Sequence, residues 1–371
     1  MPKPALGAEE PRSREDAVVK KAVVVLAAMG AVVRIEFGDG VPDEVIERVR
    51  HAWTGAAIDP APARVDTDLR IEVDDVPEVE RFLERLSTDV TLEALAHNRG
   101  SLMMLHAAGI ALDDGRVIAF VGPSGRGKTT LSRVLANVHG YVSDETIAFD
   151  RDLRVLPYRK PLSVVRDGAP KDQVAPADAG MRDLPDADLT LAAIVLLDRD
   201  TSVGEPEIEH LHFIDAAPVL VEQTSYLVEL DGTVATLAEL CDRVGGIRRL
   251  RYSEAADVPA KIESLLAPGP APEAWTRASV AVRDAVGQAS SSDAVDYGDA
   301  VVVLSDRTLR VLTGIAPTVI RAARESEEFG SIVKAVIEHH GVPPSGDPEV
   351  IVRTAIEELT EAGLLRNISG R

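Results

Sequence analysis

The segment Gly122-Pro-Ser-Gly-Arg-Gly-Lys128-Thr129 constrains this chain more than any other stretch of its 371 residues. It fits the pattern G-x-x-x-x-G-K-[ST], with Thr130 following, and it stands where that pattern can work. Arg116–Val121 before it reads as an apolar strand. Thr130, Leu131, Val134 and Leu135 after it open a helix. Glycines in such a turn let successive backbone N–H groups face one anion, and the helix N-terminus adds the positive end of its dipole. The candidate phosphate cradle is therefore Gly122, Ser124, Gly125, Arg126, Gly127, Lys128, Thr129 and Thr130. Lys128 is expected to reach the β- and γ-phosphates of ATP, and the Thr129 hydroxyl to ligate Mg²⁺.

A phosphate loop of this kind needs a further carboxylate at the end of a strand, and two segments offer one. Leu191–Asp198 is an apolar run ending in an acid, which makes Asp198 a fallback metal ligand. Tyr141–Glu145 reaches Asp144 and Glu145 about one helix and a turn past Lys128. Upstream, Met103–Leu112 is apolar and strand-like, and Asp113-Asp114-Gly115 turns it directly into the strand before the loop. An Asp-Gly turn between two apolar runs signals a hairpin. The expected sheet is therefore mixed, unlike the helix-linked parallel pairs of doubly wound nucleotide folds.

The rest of the chain divides around this core. Residues 1–17 are Pro-rich and charged without periodicity, and read as a disordered arm. Residues 18–100 read as a small α/β lobe: Val32–Phe37 and Leu69–Val73 alternate like strands, while Val79, Phe82, Leu83 and Leu86 share a helix face. No chemical constellation is visible there, only a scaffold or a surface for docking substrate. The core is placed at 101–266. A Pro- and Gly-rich linker comes after it at 267–274, with the polar stretch Gln288–Asp293 read as a further break. Beyond it, Val301–Leu304 and Leu309–Leu312 suggest a hairpin around Asp306. Helices are expected near Pro317–Arg324, Gly330–His339 and Pro348–Ala362.

Composition narrows the partners. With 61 acidic against 40 basic residues the formal net charge is −21, which repels a phosphate backbone and makes nucleic acid an unsuitable partner. The longest apolar run, Ala22–Val33, is too short to span a bilayer, so no membrane partner is expected and the chain reads as cytoplasmic. A single cysteine, Cys241, excludes an internal disulfide and reads as a buried helix residue. A homo-oligomer is left open.

Taken together, the segment from Leu105 through the loop to Ala136, followed by YVSDETIAFD at 141–150, resembles the HPr kinase/phosphorylase-related kinases. Those share a P-loop core with phosphoenolpyruvate carboxykinase. PYRKPLSV at 157–164 and LRYSEA at 250–255 are similar to members of the same group. The resemblance implies that Asp144 is the base accepting a proton from an attacking hydroxyl, that Glu145, with Asp144, ligates Mg²⁺, and that His106 lies on the phosphate side. The residue pattern alone equally allows His106 to be a satisfied core histidine. Asp-Glu stands where HPr kinase has two aspartates, and no phosphorylase-type segment is recognisable. Arg248, Arg249 and Arg251 read either as a phosphate clamp or, better, as a salt-bridged run.

Residues 275–371 resemble a PqqD-like module, a small winged-helix fold that recognises leader peptides. The resemblance rests on the strand pair, TGIAPTVI and the ending AIEELTEAGLL. Glu349, Glu357, Glu358 and Glu361 on the last helix disfavour a DNA-reading version. The whole implies an ATP- and Mg²⁺-dependent kinase that phosphorylates a Ser or Thr hydroxyl of a precursor peptide. An ATP-gated peptide-binding protein and a kinase for a small-molecule hydroxyl acceptor such as free serine are the alternatives.

Overall fold

The computed structural model of the chain describes residues 22–76, 78–164, 171–230, 232–283, 289–305 and 308–366. The expected arm at 1–17, Gln288 and the turn residue Asp306 lie outside them. The apolar run after Ala22 folds back on itself at Met29 and Gly30, both with positive φ. It becomes the antiparallel pair β1 (Val23–Ala28) and β2 (Ala31–Phe37). Helix α1 (Asp43–Ala52) leads to β3 (Thr67–Ile71), which lies parallel to β2. Helix α2 (Val79–His97) buries one stripe, Phe82, Leu83, Leu86, Val90 and Ala94, in the same cluster as this sheet. That cluster also takes in Met104, Ala148 and Tyr158, so the lobe shares its apolar interior with the P-loop core.

Next come β4 (Met103–Leu105), β5 (Ala107–Ala111), β6 (Arg116–Val121), α3 (Lys128–Leu135), β7 (Gly140–Ser143) and β8 (Ile147–Phe149). The turn at Asp113–Gly115 makes β5 and β6 antiparallel neighbours, as the Asp-Gly signal requires. Strands β9 (Val155–Leu156), β10 (Leu162–Val164), β11 (Asp172–Val174), β12 (Thr190–Arg199) and β13 (Glu207–Leu211) come after them. Helix α4 (Phe213–Glu222), β14 (Thr224–Ser225), α5 (Thr233–Arg243), β15 (Ile247–Tyr252) and α6 (Ile262–Leu266) complete this part. The central sheet runs β13-β15-β12-β6-β5-β7. Strand β12 is parallel to β6 and β15, and the other pairs are antiparallel, so the sheet is mixed.

Side-chain alternation along β6 builds a layer on each face of this sheet. Ile118 and Phe120 join Leu131 and Leu135 of α3, while Val117, Ala119 and Val121 join Ala216, Leu220, Leu237 and Cys241 of α4 and α5. A second sheet, β14-β4-β8-β9, abuts the first. The run Met103–Leu112, expected as one strand, is broken at His106: β4 pairs in the second sheet and β5 in the central one. Strands β7 and β8 make the reverse passage at Asp144–Thr146, and Ala107 N donates to Glu145 O at 3.0 Å where the two segments pass.

The C-terminal part opens with β16 (Thr276–Arg283), β17 (Ala289–Asp296), β18 (Val301–Ser305) and β19 (Thr308–Leu312), an antiparallel meander in that order. Helices α7 (Ala316–Glu325), α8 (Phe329–His340) and α9 (Pro348–Glu361) lie close to their expected places. The polar stretch before Asp293, expected as a break, is strand β17 instead. Strand β18 pairs with β17 only at Ala294–Asp296, whereas β16 pairs with β17 along Ala289–Asp296. Val302 and Leu304 face α4 and α5, while Val301 and Val303 face Val319, Ile332 and Ile356 of the three helices.

Candidate functional site

The loop between β6 and α3 turns through two glycines in the left-handed region, Gly125 at φ +83° and Gly127 at φ +91°. Gly127 caps α3, and a Cβ there would meet the Tyr252 hydroxyl at 3.1 Å, so both conformation and space call for glycine. Ser124, Gly125, Gly127, Lys128, Thr129 and Thr130 line a cavity of about 560 Å³. Gly122 and Arg126 belong to the loop but not to the cavity wall. The Gly122 carbonyl accepts from Lys128 Nζ at 2.6 Å, and the Arg126 carbonyl from the Tyr252 hydroxyl at 3.2 Å.

Opposite the loop stand the two acids, placed by the passage from β7 to β8. Thr129 Oγ1 donates to Asp144 Oδ2 at 3.1 Å, and the Tyr141 hydroxyl donates to Asp144 Oδ1 at 2.9 Å. Burial, then the Asp144 charge, pushes the Tyr141 hydroxyl well above its ordinary range, which keeps it a donor. Glu145 faces Lys160, Oε2 to Nζ 2.9 Å. Burial lowers Lys128 from its ordinary value, against the pull of Asp144 and Glu145. For Lys160 burial acts the same way, but the two carboxylates outweigh it and the ammonium is held above its ordinary value.

His106 lines this cavity too, at the break between β4 and β5, and its backbone N–H donates to Gln223 O at 2.7 Å. It is thus neither on a continuous strand nor enclosed in the apolar core. Burial, then the charge of Lys128, lowers its imidazole, which favours the neutral ring. Asp198 is not brought to the cavity wall; it stands 3.6 Å from Arg251. The arginine run is salt-bridged at Arg249 with Glu209 and at Arg251 with Asp200 and Glu207. Buried Arg248 instead donates to the carbonyls of Gly246 and Ala267.

The sequence assigns no role to several wall residues. Lys160 sits between two prolines ahead of β10, and Arg199 ends β12. Ser87 and Thr88 come from α2 of the N-terminal lobe, whose outer face looks like any solvated helix. For Mg²⁺ the donors fit: Thr129, Asp144 and Glu145 offer hard oxygens beside a phosphate cradle, the sparse protein set on which Mg²⁺ with a nucleotide relies. Among the described residues there is no cluster of three or more His, Cys, Asp or Glu that would form a protein-only metal cage.

No family model matches the chain. It is similar to the sulfoquinovosyl glycerol transport ATP-binding protein of Agrobacterium fabrum, 34% identical over 71 residues, 19% of this chain and 20% of that protein. It is also similar to the aliphatic sulfonates import ATP-binding protein of Zymomonas mobilis, 30% identical over 137 residues, 33% of this chain and 52% of that one. The chain thus spans between a fifth and about half of the length of these relatives. Among solved structures, the Hpr(Ser) kinase/phosphatase from Coxiella burnetii aligns with 44% of this chain and 93% of its own, at 13% identity and a TM-score of 0.25. The chain is thus weakly related to ATP-binding proteins. No helix of the described residues is long and apolar enough to cross a membrane.

Proposed function

We propose that this protein is an ATP- and Mg²⁺-dependent kinase acting on a hydroxyl acceptor. The observation that carries this reading is the contact of Thr129 with Asp144 at 3.1 Å in a cavity that Lys128, Glu145 and His106 also line. A loop, a loop lysine, a loop hydroxyl and a carboxylate meeting in one place are the parts phosphoryl transfer uses, since that reaction needs positioning and charge neutralisation above all. Mg²⁺ would be held by Thr129 with Asp144 and Glu145, and supplies charge neutralisation at the phosphates. Lys128 stabilises the β- and γ-phosphates, and the backbone N–H groups of Ser124–Thr129 orient them. Asp144 serves as the base: its Oδ2, bonded here to the Thr129 hydroxyl, would accept the acceptor's proton once that hydroxyl is taken up by Mg²⁺. The Tyr141 hydroxyl holds the other oxygen and keeps the carboxylate aimed.

The acceptor we infer is a Ser or Thr of a ribosomally made precursor peptide, recruited by a PqqD-like C-terminal module. What supports it is strand β19, which among the described residues is an edge of the meander where an extended chain could add. A small hydroxyl compound is the second reading, favoured by Ser87 and Thr88 of α2, which wall the cavity on the lobe side.

The test uses γ-labelled ATP with Mg²⁺ and candidate precursor peptides or free serine. Label on a hydroxyl, reduced about a hundredfold or more in Lys128→Ala and Asp144→Asn, is the expected result. Label released only as free phosphate would overturn the transfer reading and favour an ATP-gated binding protein.

A further inference from the structure

Lys160 is 3% exposed, so its ammonium has left bulk water almost entirely. A buried cation is costly unless its charge and its protons are matched. Glu145 Oε2 accepts at 2.9 Å and the Pro161 carbonyl at 3.2 Å. The third neighbour, Ser87 Oγ, lies at 3.5 Å, the outer limit of a hydrogen bond. An ammonium has three protons to place, and one of these is weakly satisfied. It points to Ser87, itself a wall residue of the cavity that holds the phosphate loop.

A buried ion pair contributes little stability by itself, so packing does not explain a lysine here. Position does. Lys160 pairs with Glu145 at 2.9 Å, and Lys128, Asp144, Glu145 and Lys160 all line the same cavity, so the four charges form one cluster. Lys128 enters that cluster from α3, and Lys160 from the side where α2 closes the cavity. We propose that Lys160 is a second phosphate-facing cation, paired with Glu145 here and available to the terminal phosphate of the nucleotide from the N-terminal-lobe side. This rests on the nucleotide reading above and extends it. Were Glu145 to ligate Mg²⁺, the Lys160 ammonium would be left to the phosphate oxygens.

Calorimetric titration with ADP and Mg²⁺, with and without beryllium fluoride as a stand-in for the γ-phosphoryl group, tests this without any acceptor. In the unaltered protein, fluoroberyllate should tighten ADP binding by about tenfold or more. Lys160→Met should lose most of that gain while binding ADP alone within about threefold, and Lys160→Arg should keep part of it. Should Lys160→Met fail to fold for want of a partner for Glu145, the Lys160→Met/Glu145→Gln pair removes both charges and should lose the same gain. A full gain in either folded variant, or none in the unaltered protein, would overturn the proposal. Unaltered protein that binds no ADP at all would instead overturn the nucleotide reading, and this inference with it.

Discussion

At the scale of single residues the site is a set of mutual restraints. His106 sits beside Lys128, and burial followed by that charge lowers its imidazole below the ordinary value of 6.5. For a group whose folded value is depressed, stability is fully present above the unfolded value and is lost as pH falls through the folded one. Proton NMR of the His106 ring should therefore show a midpoint below 6.5. His106→Gln should flatten the fall in unfolding free energy on acidification, and a midpoint above 6.5 would refute the stated environment. Gly127→Ala tests the loop: at φ +91°, with the Tyr252 hydroxyl 3.1 Å from the new Cβ, it should cost about 1–3 kcal/mol in stability and weaken nucleotide binding. The loop glycines, Lys128 and Thr129 were readable because their spacing is dictated by the anion they surround. Asp144 and Glu145 were readable because a strand returns them at a fixed distance past α3. Lys160 lies in the quoted segment PYRKPLSV, but its place against residues 87 and 145 comes from the fold and could not be read from that segment.

Among the elements, α5 shows how the C-terminal sheet is fastened to the core. Asp293 Oδ2 accepts from Val234 N at 2.7 Å and Ala235 N at 2.9 Å, satisfying two donors at the helix N-terminus that the helix cannot satisfy itself. Trp275 Nε1 donates to Asp242 Oδ2 at 2.8 Å near the other end of α5. Asp293→Ala should lower stability by about 1 kcal/mol in urea unfolding, within the range for lost helix caps. No measurable change would mean that solvent replaces the carboxylate. The hairpin of β5 and β6 was legible because Asp113–Gly115 is a local turn. The Ser-rich strand β17 was not: its place comes from pairing with β16, which sequence alternation does not record. Likewise the break at His106 depends on two sheets meeting, and an apolar run looks the same whether it serves one sheet or two.

For the whole molecule, the strands beyond the Pro- and Gly-rich stretch after α6 pack on the core: Val295, Val302 and Leu304 lie in the same buried cluster as Leu237 and Cys241. A chain ending at residue 274 would leave that flank of α4 and α5 open. In the full chain Cys241 is buried and burial pushes its thiol up, so it should resist a disulfide reagent such as dithiobisnitrobenzoate. The shortened chain should react readily and bind an apolar dye. Equal protection in both would show that the core closes without the meander. This fastening also sets a timetable for synthesis. The carboxylate that caps α5 is 59 residues downstream of the helix it serves. At roughly 5–20 residues per second the ribosome takes several seconds to supply it. The phosphate loop and its strands emerge early, but the flank of α5 stays bare over that interval. A nascent chain of this protein therefore has an obligatory period of stickiness, during which a chaperone has a defined surface to hold.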